Sequence, residues 1–172
     1  YRDYMDWKNG KGRWKLLGKT FQGNLKHEGI SSKVTFVFPP AEQNSTGNLT
    51  DGLFGVETTF DKNWLGFDKT DMIATVDLGV IKKINKLAVR FLNYRPYEVY
   101  LPGNVRFSVS NDGENFRELP VVIIDNYTYD FYDCWIDIAS IDTDEEARFV
   151  RVFAVNTARK WIFADEVMVN PE

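Results

Sequence analysis

The chain has 172 residues, 44% of them apolar, 27% charged and 15% aromatic, with a net charge of -4, which suits one domain able to bury roughly two thirds of its unfolded surface. An acidic balance gives no drive toward nucleic acid or an anionic membrane, and no run approaches the ~18 apolar residues of a membrane span. A single cysteine, Cys134, excludes an internal disulfide, and a single histidine, His27, leaves almost no room for a His-based triad or a Cys/His zinc site, so carboxylate pairs are the main chemistry open to an enzyme.

Residues 1–24 are locally basic: Arg2, Lys8, Lys11, Arg13, Lys15 and Lys19 stand against Asp3 and Asp6, with Trp7, Trp14 and Phe21 interleaved. They read as an N-terminal appendage or linker ahead of a domain spanning 25–172, in preference to a nucleic-acid arm. Tyr1-Arg2-Asp3 does not open a signal peptide, and the chain reads as cut from a longer precursor. His27, among Lys26, Glu28 and Gly29, is expected in an exposed turn.

Beyond that point period-two patterning dominates. Lys33 to Phe38 reads as a strand stopped by Pro39-Pro40, which remove backbone donors. Ile73 to Leu78 alternates and halts at Gly79; Ile84 to Leu92 and Val105 to Ser110 follow as strands. Asn111-Asp112-Gly113 is a tight-turn signal with Phe116 to Ile124 returning behind it. Tyr127 to Ile138 is another strand, with Cys134 as a small buried thiol. Asp142 to Glu146 reads as an acidic, solvated turn, and Ala147 to Val155 and Trp161 to Val169 close the chain as strands. About eight strands at this spacing predict an all-β fold, an antiparallel β-sandwich of jelly-roll type.

Several blocks stand in a telling order: Leu49-Thr-Asp-Gly52, Trp64-Leu-Gly-Phe67, Val76-Asp-Leu-Gly79, Val105 to Phe116 around Ser110-Asn-Asp-Gly113, Ala147 to Val152 and Trp161-Ile-Phe-Ala-Asp-Glu-Val167. Over residues 25 to 170 the sequence resembles the coagulation factor 5/8 type C, or discoidin-like, domain. It is most similar to the family 32 carbohydrate-binding modules appended to bacterial glycoside hydrolases such as beta-hexosaminidases. The resemblance implies a galactose-binding-domain-like sandwich in a secreted, periplasmic or cell-surface bacterial protein. Animal members commonly join their ends by a disulfide, which this chain cannot form.

The same resemblance implies a structural calcium ion. Its ligands carry over onto Asn48, Asp51, the stretch from Leu53 to Thr58, Asp165 and Glu166; Val56 stands where the pattern often has Thr, so Thr58 or Thr59 or a main-chain oxygen substitutes. The residues fit calcium's taste for carboxylate and carbonyl oxygens on a flexible loop. The plainer alternative is an Asx turn at Asp51 and a surface carboxylate at Glu166.

A saccharide needs an aromatic platform and a few planar hydrogen-bonding groups. The loop from Asn93 to Tyr100 has that mixture, with Asn93 and Arg95 as hydrogen-bonding groups and Tyr94 or Tyr97 as the stacking ring; the alternative is a rigid Pro-containing connection that covers the sandwich edge. Trp64, Arg159 and Trp161 are further candidates, with Trp64 equally readable as a loop anchor and Trp161 as a core cap. The reading is thus a non-catalytic carbohydrate-binding module with a structural calcium site, whose partners are a glycan and a catalytic domain of the same parent chain. Its rivals are a buttressing domain packed on a neighbouring hydrolase and an enzyme using carboxylates such as Asp61 or Asp68.

Overall fold

The computed structural model describes residues 26–43, 48–55, 61–124, 131–132 and 134–172. Among the described residues nine strands follow one another: β1 (Lys33–Phe36), β2 (Glu42–Gln43), β3 (Leu65–Asp68), β4 (Met72–Tyr94), β5 (Asn104–Ser110), β6 (Arg117–Glu118), β7 (Val122–Ile123), β8 (Cys134–Ala154) and β9 (Trp161–Val169). Every pairing between them is antiparallel, as the period-two patterning predicts.

Two very long strands build both layers. The first half of β4 pairs with β1 and with the end of β8, and its second half pairs with the start of β8 and with β9. One layer is therefore β1, β4, β8, β5 with β6 and β7, and the other is β2, β3, β9, β4, β8. Between them lies one core of inward residues from both halves of the shared strands, including Met72, Val76, Leu87, Phe91, Phe107, Val150 and Val152.

The sequence places breaks where the chain only bends. Gly79 sits at φ +80, a backbone that side-chain-bearing residues resist, and the β4–β8 register shifts between Asp77 and Lys82 and again between Ile84 and Lys86. These irregularities let each strand turn the corner between layers without ending. The acidic run Asp142 to Glu146 is consequently strand, not a turn. It lies opposite lysines, with Lys83 facing Glu146 and Lys86 facing Asp142 in the register, and Lys83–Asp144, Lys86–Asp142 and Arg117–Glu145 ion pairs neutralise the charge that made it look like a loop. Conversely, Phe116 to Ile124 is two short strands, since Pro120 has no N–H for the ladder.

A second apolar cluster covers the outer face of the β3–β9–β4–β8 layer, built from Trp64, Ala88, Leu92, Val99, Ile136, Ile138, Phe163 and Met168, with Phe54 and Trp161 packed against it. An ordinary sandwich leaves such a face to water. Here Phe54 and Trp64 pack onto part of it, which fixes the described residues on either side of the predicted metal ligands. Among the described residues no helix is long and apolar enough to cross a membrane.

Phe91 is 0% exposed at the centre of the shared strand. Phe91→Ala is expected to cost about 3–5 kcal/mol in urea unfolding, since the rigid bilayer of strands cannot collapse into the space.

Candidate functional site

Two sets of side chains stand out, both reached from β9. The first is a buried charge cluster. Val89 pairs with Val167 and Phe91 with Ala164, so Asp165 and Glu166 together oppose the single residue Arg90. This β-bulge places two adjacent carboxylates on a strand interior, and both are 0% exposed.

Each carboxylate is met differently. Asp165 Oδ2 accepts from the Gly55 amide at 2.7 Å and lies 3.1 Å from Arg90 Nη1. Arg90 Nη2 donates to the Gly55 carbonyl at 3.2 Å, and the guanidinium stacks on the Phe54 ring at 4.0 Å. Gly55 is required here, because a Cβ would stand 2.3 Å from the Trp64 ring. Burial pushes the Asp165 carboxyl up to about 7 against the pull of Arg90. The Asp165 side chain thus belongs to an Arg90 clamp on the loop.

Glu166 Oε1 accepts from His27 Nε2 at 2.7 Å and from the Gly52 amide at 3.0 Å. His27 Nδ1 in turn accepts from the Gly29 amide at 3.0 Å and the Val169 amide at 3.4 Å. An Nδ1 that accepts carries no proton, so the imidazole is neutral with its proton on Nε2; burial lowers its pKa to about 4. His27 is therefore not in an exposed turn but 8% exposed, tying the chain's first described residues to its last strand. Lys26, Glu28 and Gly29 mark only the outer side of that turn.

Glu166 Oε2 is buried without a donor, and so is Asp165 Oδ1. Burial raises the Glu166 carboxyl to about 9 against the pull of the Gly52 amide, with the charges of Asp165 and of Asp51, which lies beside it, adding to the rise. Two carboxylates facing each other need a proton or a cation between them. Asp51 also forms the Asx turn of the plainer reading: Leu53 N donates to Oδ1 at 2.9 Å and Asn48 N to Oδ2 at 3.1 Å. Glu166 is no surface carboxylate. Among the described residues no three His, Cys, Asp or Glu side chains gather as a metal site, so a cation here would complete its shell from loop carbonyls. Thr58 and Thr59 lie outside the described residues.

The second set is a rim at one end of the sandwich, where the loops 69–71, 95–103 and 155–160 converge. Arg95–Tyr97 is a 3-10 turn capped by Glu98 at φ +57. Trp161 N donates to Glu98 O at 3.0 Å, Tyr100 N donates to Trp161 O at 3.0 Å, and Lys160 Nζ pairs with Glu98 Oε1 at 2.8 Å. Asn156, 2% exposed, carries no signal in the sequence yet joins two of these loops: its side-chain amide donates to Thr70 O and Lys160 O at 3.0 and 2.7 Å, and its backbone N–H donates to Asp71 Oδ1 at 2.8 Å.

The rim brings together Tyr94, Arg95, Tyr97, Arg159 and Trp161 from the predicted saccharide set. Tyr94 and Tyr97 stack at 5.1 Å with 27° between planes, and Tyr97 is 51% exposed. Trp161 is half-buried, edge-on to Phe163 at 5.7 Å. Two predicted residues are not available there. Trp64 is 1% exposed, so it is the loop anchor and offers no ring face. Asn93 is 2% exposed and faces inward opposite Trp135, as the strand alternation requires. Asp61 accepts from the Asn63 amide at 2.8 Å in a turn, and Asp68 is half-buried opposite Trp161.

No protein-family model matches the sequence, and no curated protein does. Solved structures do resemble the fold. CpGH89CBM32-6, produced by Clostridium perfringens, superposes with a TM-score of 0.53 at 16% identity over 86% of this chain and 100% of that one. CpGH89CBM32-5 from the same organism, in complex with GalNAc-beta-1,3-galactose, gives 0.51 at 19% identity over 84% and 98%. The chitosan-binding module 1 of a chitosanase/glucanase from Paenibacillus sp. IK-5 gives 0.56 at 15% identity over 84% and 98%. The chain has the discoidin-like β-sandwich fold of these modules.

The His27–Glu166 pair predicts a pH dependence. In the folded chain the pair holds one proton from about pH 4 up to about pH 9; unfolded, the last proton leaves near the ordinary imidazole value of 6.5. Between about 7, where Asp165 has also ionised, and 9, the folded state alone binds that proton, so stability falls as pH rises, by about 1.4 kcal/mol per unit. Urea unfolding with a chelator present at pH 7, 8 and 9 measures it; an unchanged free energy contradicts the buried, shared proton.

Proposed function

We propose that this chain is a non-catalytic carbohydrate-binding module that grips glycans at the rim formed by residues 94–98 and 157–161. The observation that carries the reading is the half-exposed Tyr97 ring, backed by Tyr94, on a rim whose backbone is fixed in advance. Saccharides present apolar C–H faces that stack on such a ring, with hydroxyls that reach neighbouring planar donors. Lys69, Glu98 and Arg159 hold φ of +60, +57 and +55, conformations that cost about 1–2 kcal/mol each. A rim that maintains three such residues through Asn156 and the Glu98–Lys160 pair is preorganised, and preorganisation lowers the entropy lost on binding. The fold likeness to modules solved with GalNAc-beta-1,3-galactose and named for chitosan supports the same class of ligand.

The role we assign to Asp51 and Glu166 is to hold a structural calcium ion with backbone oxygens of the 48–55 loop, Asn48 and Leu53 included. The ion supplies positive charge between two carboxylates and takes no part in binding chemistry. The parent we propose is a bacterial glycoside hydrolase exported to the surface or beyond, in which the module keeps a catalytic domain near its substrate by making the second encounter intramolecular.

Titration calorimetry and a glycan array on the isolated chain test the ligand class: Tyr97→Ala is expected to weaken binding about tenfold with the melting temperature unchanged. Silence across glycans, together with a stable interface to a hydrolase domain, would replace this reading by the buttress. For the ion, calcium is expected to raise Tm over a chelated sample, and more at pH 8.5 than at pH 6.5, because it displaces the proton that Glu166 otherwise keeps; equal Tm values at both pH values contradict the site.

A further inference from the structure

We infer that the rim selects glycans carrying a carboxylate, such as uronides or sialosides, through Arg95 and Arg159; the inference rests on the glycan-binding reading of the same rim. Arg90, Arg117 and Arg148 each pair with a carboxylate, Asp165, Glu145 and Asp77 respectively. Arg106 and Arg151 lie over the rings of Phe153 and Phe116 at 5.7 and 3.8 Å. Among the described residues only Arg95 and Arg159 have neither a carboxylate nor an aromatic partner, and both belong to the rim, Arg95 in the turn that carries Tyr97 and Arg159 next to Lys160, which pairs with Glu98.

The surroundings sharpen the point. Arg95 opens the turn that carries Tyr97, and its Nε is shielded from water without a hydrogen-bond partner, a cost that a ligand oxygen would remove. Arg159 is exposed and held at φ +55, so its backbone is committed although its side chain is not. Of the rim's acidic groups, Glu98 is neutralised by Lys160 at 2.8 Å and Asp71 accepts from the Asn156 amide. The rim therefore presents two uncompensated positive charges on a chain whose net charge is -4, a local reversal of sign. A guanidinium offers a planar fork that matches a carboxylate in two parallel bonds, which a neutral hydroxyl cannot return.

The test compares matched glycans by calorimetry on the whole chain: trigalacturonate against its methyl ester, and sialyllactose against lactose. These arms separate a uronide from a sialoside as the source of the carboxylate. The expected result is that one acidic member binds about tenfold tighter than its neutral counterpart, and that Arg95→Gln and Arg159→Gln each remove that preference with Tm near wild type. Arg117→Gln, on the strand pair remote from the rim, leaves the preference intact. Equal affinity for acidic and neutral glycans overturns this inference while the glycan-binding reading stands, as does an acidic preference that survives both rim substitutions. Absence of binding to every glycan overturns both.

Discussion

Everything distinctive in this structure depends on two adjacent carboxylates buried on one strand. A charge inside a sandwich is costly unless it is paired and hydrogen-bonded, and the β9 bulge commits the fold to two of them side by side. The groups that meet that demand come from every part of the domain that would otherwise be loose. Arg90 arrives from the central strand, the Gly52 and Gly55 amides from a long loop, and His27 from the start of the described chain. Satisfying Asp165 and Glu166 is the same act as pinning the loop and joining the two ends.

This explains how a domain without an internal disulfide closes itself. The hydrogen bonds from Glu28 N to Val169 O and from Glu172 N to Lys26 O run beside the His27–Glu166 contact, so the terminal segments meet where the carboxylates already hold them. A calcium ion between Asp51 and Glu166 would strengthen that closure, not create it. The same strand then runs to the rim: β9 begins at Trp161, whose N–H and C=O are bonded to Glu98 and Tyr100. A strand anchored at its bulge delivers a fixed edge to the loops at its end, which is the mechanical link between the buried cluster and the rim.

The sequence announced the strands well and their connections poorly. Alternation reveals which residues face inward, so Met72 to Leu78, Leu87 to Phe91 and Val105 to Val109 were legible as core. Alternation is blind to whether a chain bends or breaks, and Gly79 with the acidic run at 142–146 looked like ends because the lysines that neutralise Asp142 and Asp144 are about 60 residues away in the chain. His27 was misplaced for a similar reason: its neighbours in sequence are polar, but its partner is 139 residues distant. Aromatic residues announced a binding surface without saying which ones stay outside. Trp64 and Tyr97 look alike as candidates, and only the Gly55 backbone lying on the Trp64 ring separates anchor from platform. Asn156 carried no signal at all, since its three bonds are made to residues whose proximity is a product of the fold.

The buried cluster also bears on why binding, and not turnover, is the reading the residues favour. A carboxyl raised to about 9 beside a histidine and a second acid would, in an open cleft, mark an acid–base pair. General acid catalysis needs that group within hydrogen-bond reach of the leaving oxygen, and paired glycosidase carboxylates must flank a bound sugar. His27 and Glu166 have side chains at 0% exposure, so no glycosidic oxygen in a surface cleft comes within reach of either. The perturbation that would power chemistry elsewhere is here the consequence of burial and is used up in closing the domain. At the rim, where a sugar could reach, Arg95 and Arg159 stand with a Glu98 paired to Lys160 and an Asp71 bonded to the Asn156 amide, so these carboxylates are engaged in holding the loops and not in moving a ligand's protons.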